Sequence, residues 1–159
     1  MDGSQFDEDG FFRAIAASGA RALLIGRRAL IALGLPLLTG DYDFWLHIDD
    51  IALFNQAAAP FGLVPTLSPE DARARGRYGL ENDEKVDVLV GRSVPTVDGE
   101  RVVFDEIWAR HQTIEAAPRV PVAIPALEDL ARTKRFGARP KDAEDLRLIA
   151  TLIARRGGG

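Results

Sequence analysis

Apolar residues form two different patterns along the chain. In the first third, short apolar runs at residues 22–25 and 42–46 alternate with amphipathic stretches, which predicts two buried strands between helices. From residue 63 to residue 103 short strand-like segments follow one another, separated by turns, at 64–67, 78–81 and 86–90, with a hairpin around 97–100. Strands that first alternate with helices and then cluster predict an α+β or α/β fold, with a mixed, mostly antiparallel sheet flanked by helices.

Helical spacing and capping residues predict helices before, between and after these strands. Asp7 or Asp9 is the predicted cap of a first helix that ends at Gly19, and Asp49 is the predicted cap of the helix after the second strand. Further helices are predicted over residues 27–33, 104–111, 125–130 and 141–156. We expect one domain over residues 1–156, with a core at 20–104, a C-terminal helical pair at 125–156 and a disordered tail at 157–159.

Composition narrows the class of protein without identifying its chemistry. The chain has 159 residues, of which 47% are hydrophobic and 28% charged, as in soluble globular proteins. There is no cysteine, so disulfides and thiolate metal sites are excluded, and a cytoplasmic location without membrane attachment is expected. The net charge of −4 gives no global attraction to nucleic acid. Cations crowd the C-terminal segment, which either faces an anion or forms a solvated helix face.

Three aspartates occupy positions where apolar strands do not favour charge. Asp41 and Asp43 are one residue apart at the start of a strand, so both should point to the same side of the chain. Asp87 lies within the apolar segment 85–90. If the two strands are neighbours, the three carboxylates converge, and their oxygens would suit Mg²⁺. A cation would then offset the repulsion between the acids.

Other interpretations of these acids stay open at the level of sequence. Thr39, Gly40 and Asp41 are also good turn residues, and a single aspartate in a strand needs no function. An EF-hand calcium loop is excluded, because its glycine and closing glutamate are missing at the required positions.

Gly26 ends a predicted strand and begins a predicted helix. A glycine at such a turn lets the backbone approach a phosphate group closely, while the start of the helix offers free N–H groups. Turns of this kind are common, so the signal gains weight only from its spacing to the two aspartates.

The combination of these motifs resembles the polymerase-beta-type nucleotidyltransferase superfamily. Gly26-Arg27, thirteen residues and then Asp41-Tyr42-Asp43, with a later aspartate on another strand, is similar to its signature. The C-terminal segments 130–134 and 139–146 are similar to helices of the small bacterial branch, which includes minimal nucleotidyltransferases, abortive-infection toxins and some antibiotic nucleotidyltransferases. The resemblance covers residues 22–148.

The resemblance implies roles for individual residues. Gly26 and the following amide would contact a triphosphate, and Lys134 would neutralise a phosphate. Asp41 and Asp43 would bind two Mg²⁺ ions, with Mn²⁺ as an alternative. Asp87 would bind the catalytic metal and help to deprotonate the attacking hydroxyl. The implied reaction moves a nucleoside monophosphate from a nucleoside triphosphate to a hydroxyl of an acceptor that the sequence does not identify.

The sequence also departs from the family pattern. Thr39 matches a family threonine two residues before the first aspartate, but Arg27 replaces a small residue, and Leu37 stands where many relatives carry arginine. Arg27 would either grip the γ-phosphate or fill the nucleotide pocket. The alternative is a catalytically silent module that binds a nucleotide or a partner. The acceptor could be tRNA, a partner protein or a small molecule, and a helical partner subunit would indicate a toxin-antitoxin pair.

Four further residues are interpreted structurally. We expect His47 to close its strand near the surface, and Trp45 and Trp108 to belong to the core or its edge. Asp142 either caps the last helix, with local ion pairs, or takes part in catalysis.

Overall fold

The computed structural model describes residues 6–137 and 139–158. Five strands form the central sheet in the spatial order β1-β2-β5-β4-β3. They are β1 (Ala22–Ile25), β2 (Asp41–Leu46), β3 (Val64–Pro65), β4 (Arg77–Glu81) and β5 (Lys85–Val90). Only the β2–β5 pair is parallel among these strands, and the other three pairs are antiparallel. The predicted α+β class, with a mixed and mostly antiparallel sheet, is confirmed.

Helices cover both faces of this sheet. The first four are α1 (Glu8–Ser18), α2 (Gly26–Ala32), α3 (Ile51–Ala58) and α4 (Pro69–Arg75), with one 3-10 turn at Ala59–Phe61. The last three are α5 (Phe104–Ala109), α6 (Leu127–Thr133) and α7 (Pro140–Gly158). Helix α7 thus runs two residues beyond its predicted end, and residue 159 lies outside the described part of the chain.

Two small hairpins complete the domain. The first joins β6 (Ser93–Pro95) and β7 (Arg101–Val103), as the turn residues at 97–100 predict. The second joins β8 (Gln112–Ala117) and β9 (Val120–Ile124), and β9 packs against α1 and β1.

Strand β2 is buried on both faces, and its two faces differ in chemistry. Phe44 faces Phe11 of α1 and Phe54 of α3, with ring centroids 6.0 and 5.2 Å away. Trp45 points to the opposite face, where it packs against Phe104 and Phe136. Asp41 and Asp43 alternate with Tyr42 and Phe44, so they share the face of Trp45. The predicted core position of Trp45 is confirmed, since its side chain is fully buried.

Helix α4 was missed by the hydrophobic pattern, which predicts only strands and turns over residues 63–103. The helix has few apolar residues, and Ala72 is its one buried member. Local chemistry explains its formation: the Ser68 hydroxyl accepts from the Asp71 amide, and Pro69 fixes the first helical position. Strand β3 is also shorter than predicted, because the chain turns into α4 after Pro65.

Two predictions about the end of β2 are wrong. The residue before α3 is Asp50 instead of Asp49, and its carboxylate makes no cap bond because it accepts from the amide and guanidinium of Arg21. His47 is buried instead of lying near the surface. Its Nδ1 accepts from the Asp49 amide at 3.0 Å, and its ring packs edge-on against Phe104.

None of the helices over residues 6–137 and 139–158 combines the length and apolar character needed to cross a bilayer.

Candidate active site

Strand pairing places two of the predicted acids side by side. In the parallel β2–β5 ladder Asp43 is the partner of Asp87, and Asp41 is the partner of Lys85. Partners in a ladder point to the same face of the sheet, so Asp41, Asp43, Lys85 and Asp87 form one polar patch. Asp43 and Asp87 are half-buried, whereas Asp41 lies at the exposed margin. The strands that carry the three acids are neighbours, as the sequence analysis required.

The crowding of negative charge affects Asp43 most. Burial raises the pKa of the Asp43 carboxyl, and the negative charges of Asp87 and Asp41 raise this pKa further. Arg139 and Lys141, at the start of α7, act in the opposite direction. A carboxylate held in this environment is costly for the folded protein, and a cation bound beside it would remove the cost.

Gly26 brings bare backbone against Asp43. Its φ of +72° lies in the left-handed region, and β1 pairing places the preceding residue, Ile25, opposite Asp43. A Cβ atom at position 26 would lie 2.7 Å from the Asp43 Oδ2 atom. Conformation and space therefore both require glycine at this position.

A cavity of about 490 Å³ opens over this patch. Gly26 and the two acids Asp43 and Asp87 form its floor, and the segment from the end of α6 to the start of α7 forms its opposite wall. Its cationic lining residues are Arg77, Lys85, Lys134 and Arg139. The cavity thus joins paired carboxylates to several cations, which suits a ligand that carries both phosphate groups and a bound metal ion.

Two cations predicted to lie at the nucleotide are bound to acids of α7. Lys134 is almost fully buried, and its Nζ atom donates to Asp145 at 2.6 Å. The guanidinium of Arg27 donates to the same carboxylate at 3.1 Å and reaches Glu144 at 3.3 Å. Asp145 is fully buried between the two cations. This group of Arg27, Lys134 and Asp145, here called the α7 clasp, joins α2 and α6 to the last helix.

Asp142 has the local role that the sequence left open. Its carboxylate accepts from the amide and the guanidinium of Arg139, so it closes the first turn of α7. It also lines the cavity beside Lys134.

Thr39 and a residue missed by the sequence analysis, Arg28, fix the turn before Asp41. The Thr39 hydroxyl accepts from the Asp41 amide at 3.1 Å. The guanidinium of Arg28 donates to the backbone oxygens of Thr39 and Asp41 and stacks 4.0 Å above the Tyr42 ring. Arg28 follows Gly26 by two residues, but only the fold shows that α2 brings it beneath this turn.

The donor set fits part of a Mg²⁺ site. Carboxylate oxygens are the preferred ligands, and Mg²⁺ in proteins is commonly held by one or two carboxylates together with substrate phosphates and water. Within the described ranges no group of three or more His, Cys, Asp or Glu residues is close enough together to hold an ion unaided. Asp43 and Asp87 could therefore bind such an ion only with oxygen ligands from a substrate or water.

Comparisons with known proteins identify the fold. No protein-family model matches the sequence, and no curated protein shows significant similarity to it. Among solved structures, a Thermotoga maritima protein named a "putative nucleotidyltransferase" matches over 89% of this chain and 88% of its own, with a TM-score of 0.59. The two sequences are 14% identical, so the match concerns the fold alone. The chain therefore has a nucleotidyltransferase-type fold.

Proposed function

We propose that this chain is a metal-dependent nucleotidyltransferase. The acceptor hydroxyl oxygen would bond to the α-phosphorus of a nucleoside triphosphate, and the bond from that phosphorus to pyrophosphate would break, with pyrophosphate leaving with the electron pair. The observation that carries the proposal is the Asp43–Asp87 pair on parallel neighbouring strands, directly beside the bare backbone of Gly26. The fold shared with the Thermotoga protein supports the same general kind of activity.

The residues of the patch have distinct roles in this proposal. Asp87 would take the proton of the attacking hydroxyl, and Asp43 and Asp87, with Asp41 at the margin of the patch, would hold the cations that meet the triphosphate. Mg²⁺ ions, when bound, would supply positive charge for the pentavalent transition state and the leaving group. Gly26 leaves space for the phosphates beside Asp43, and the turn at Thr39 and Arg28 keeps Asp41 in register. Most of the rate enhancement would come from positioning and electrostatics.

The α7 clasp favours a second candidate function. Arg27 and Lys134, the cations expected at the phosphates, are already neutralised by Asp145 and Glu144. A chain that keeps these ion pairs after binding would hold a nucleotide or a partner subunit without turnover. Arg139, which also lines the cavity, is paired with Asp142, so the lining cations without an ion pair to a described residue would then be Arg77 and Lys85.

Isothermal titration calorimetry tests the proposal with ATP, GTP, CTP and UTP, each with and without Mg²⁺. We expect at least one nucleotide to bind only with Mg²⁺, because the Asp43–Asp87 pair repels a free triphosphate. Asp43→Asn and Asp87→Asn should each abolish this Mg²⁺-dependent binding. Asp9→Asn, which removes an exposed carboxylate from the first turn of α1, is the matched control and should bind like the unaltered chain.

Pyrophosphate release separates the two candidate functions. Release that requires Mg²⁺ and Asp87 establishes transfer, whereas Mg²⁺-dependent binding without release, with RNA, protein and small hydroxyl compounds offered as acceptors, supports the silent module. If no nucleotide binds with Mg²⁺, or if Asp43→Asn binds as well as Asp9→Asn, the transferase and the silent nucleotide-binding module are both wrong, and only a partner-binding module is left.

A further inference from the structure

A second cavity, of about 380 Å³, lies between α1, the start of β1 and the β8–β9 hairpin, and the end of α5 borders it. It is separate from the cavity over the acids, because Phe44 of β2 is the only described residue that lines both. Protein interiors are normally packed without voids much larger than a water molecule, whereas small-molecule sites are concave spaces of about 300 to 1,000 Å³. The size of this cavity is therefore that of a small-molecule site.

The lining of this second cavity is apolar and open at one side. Four buried apolar side chains contribute to it, those of Phe12, Ile15, Phe44 and Val122. The part of α1 at its rim has only small residues, Ala16 and Gly19, and a Cβ atom added at Gly19 would meet no atom within 4 Å. No Asp, Glu, Lys or Arg among the described residues lines the cavity. Because a buried charge without a partner is costly, the cavity suits an uncharged ligand.

An aromatic pair at the end of α5 adds a polar group to this lining. The His111 imidazole stacks on the Trp108 ring, with centroids 4.0 Å apart and planes 22° apart, and both residues line the cavity. The His111 Nδ1 atom lies 2.5 Å from the Trp108 carbonyl oxygen. A carbonyl only accepts, so in the neutral imidazole Nδ1 carries the proton and Nε2 is an acceptor. Nε2 has no hydrogen bond to any residue that the structure describes, so it is available to a donor group of a ligand.

We propose that this second cavity binds an uncharged aromatic small molecule that donates one hydrogen bond to the His111 Nε2 atom. Burial of the rings against the apolar lining supplies most of the affinity. The stacked Trp108–His111 pair favours a flat ring over an aliphatic chain, and the single acceptor sets the orientation of the ligand. The inference does not depend on the proposed function, because Asp41, Asp43 and Asp87 lie outside this cavity.

A protein-detected NMR titration with indole tests the site, because indole is flat and uncharged and has one N–H donor. We expect saturable shifts of backbone amide signals in α1, β1, β8, β9 and the end of α5. Indole-3-carboxylate has the same rings but is ionised at neutral pH, and it should bind about tenfold or more weakly than indole, since the cavity offers its charge no partner.

Two neighbouring positions on α1 provide matched variants. Ala16→Phe places a ring in the mouth of the cavity and should weaken indole binding about tenfold or more, because the ligand loses much of the surface that such sites bury. Ala17→Phe adds the same ring at an exposed position outside the lining and should change the affinity less than about twofold, as surface substitutions do. Thermal unfolding of both variants shows that they are folded.

His111→Phe tests the hydrogen bond separately from the apolar contacts. It keeps an aromatic ring beside Trp108 but removes the acceptor, so it should weaken indole about twofold to tenfold, the net contribution of one hydrogen bond. The binding of 1-methylindole, which has no donor, should change less than about twofold in the same variant. Equal weakening of indole and 1-methylindole would contradict the role of Nε2.

The second cavity and the proposed function can fail separately. Asp43→Asn should lose Mg²⁺-dependent nucleotide binding and still bind indole like the unaltered chain. The inference is wrong if indole causes no saturable shifts, if Ala16→Phe and Ala17→Phe have the same effect, or if indole-3-carboxylate binds as tightly as indole. Those results would leave the nucleotide-binding experiments unaffected.

Discussion

Two aspartates near the cleft between the sheet and α7 are held in opposite ways. Asp145 on α7 is fully buried, but Lys134 and Arg27 neutralise it directly at 2.6 and 3.1 Å. Asp43 on β2 is only partly buried, yet its nearest neighbours include Asp87 and the bare backbone of Gly26. The charge of Asp145 is balanced within the fold, whereas further negative charge lies beside Asp43.

This difference distinguishes an acid with a structural role, Asp145, from an acid without a balancing partner, Asp43. A buried carboxylate that has all its partners within the chain is a structural element, since nothing external is needed to balance it. A carboxylate next to other acids gains its partner only when a cation arrives. The α7 clasp therefore joins the helices, while the Asp43–Asp87 pair is the region that we propose binds a ligand.

The largest predicted effect comes from breaking the clasp. Asp145→Asn should destabilise the protein by about 3 kcal/mol or more, because the Lys134 ammonium is left buried without a counter-charge. Urea unfolding followed by circular dichroism measures this loss. The double variant K134M/D145L removes both buried charges and should be more stable than Asp145→Asn. A loss below about 1 kcal/mol, the range of an exposed ion pair, would show that Asp145 is not structural.

A smaller loss of stability is expected for a substitution beside Asp43. Gly26→Ala should cost about 1 to 3 kcal/mol, the usual range for a residue held at positive φ, because its Cβ atom also meets the Asp43 carboxylate. Gly19→Ala is the control: its φ is +81°, but no atom lies within 4 Å of the added Cβ. The excess loss at Gly26 over Gly19, measured by thermal unfolding, reports the contact with Asp43. Equal losses would mean that backbone strain alone requires glycine at position 26.

The sequence predicted most of the fold because its signals are local. Short apolar runs marked β1 and β2, and the turn residues at 97–100 marked the β6–β7 hairpin. Helix α4 was missed because a hydrophobic pattern does not detect a helix with one buried residue, although Ser68 and Pro69 carried the signal. The exposure of His47 was predicted wrongly, because it depends on α5 packing over the end of β2.

The site was predictable as far as strand alternation allows. Alternation placed Asp41 and Asp43 on one face, and their proximity to Asp87 required only that β2 and β5 be neighbours. Ion pairing between distant segments has no such signature. Asp145 lies more than a hundred positions from Arg27 and eleven positions from Lys134. Only the packing of α7 therefore shows these two ion pairs.

The smallest predicted effect is a gain of stability, and it tests most directly whether Asp43 differs from Asp145. Asp43→Asn should make the protein slightly more stable at pH 7, because the repulsion from Asp87 and Asp41 and the cost of burying the charge are removed. The sign follows from the raised pKa of Asp43: burial and the neighbouring acids make the folded state bind its proton more tightly than the unfolded chain does. The Asp43 carboxyl therefore adds to the free energy of unfolding when the pH is below its unfolded pKa of about 3.9. This contribution is lost as the pH rises through the higher pKa of the folded state.

The pH dependence of unfolding distinguishes this account from a general effect of removing charge. The advantage of Asp43→Asn should fade as the pH falls from 7 to below about 4, where the native carboxyl is protonated as well. Asp50→Asn is the control of opposite sign. Hydrogen bonds from Arg21 lower the pKa of Asp50, so its contribution is present at neutral pH and lost in acid. If Asp43→Asn destabilised the protein at pH 7 as Asp50→Asn should, Asp43 would be a structural acid like Asp145, and the cleft would contain no unbalanced charge for a cation to stabilise.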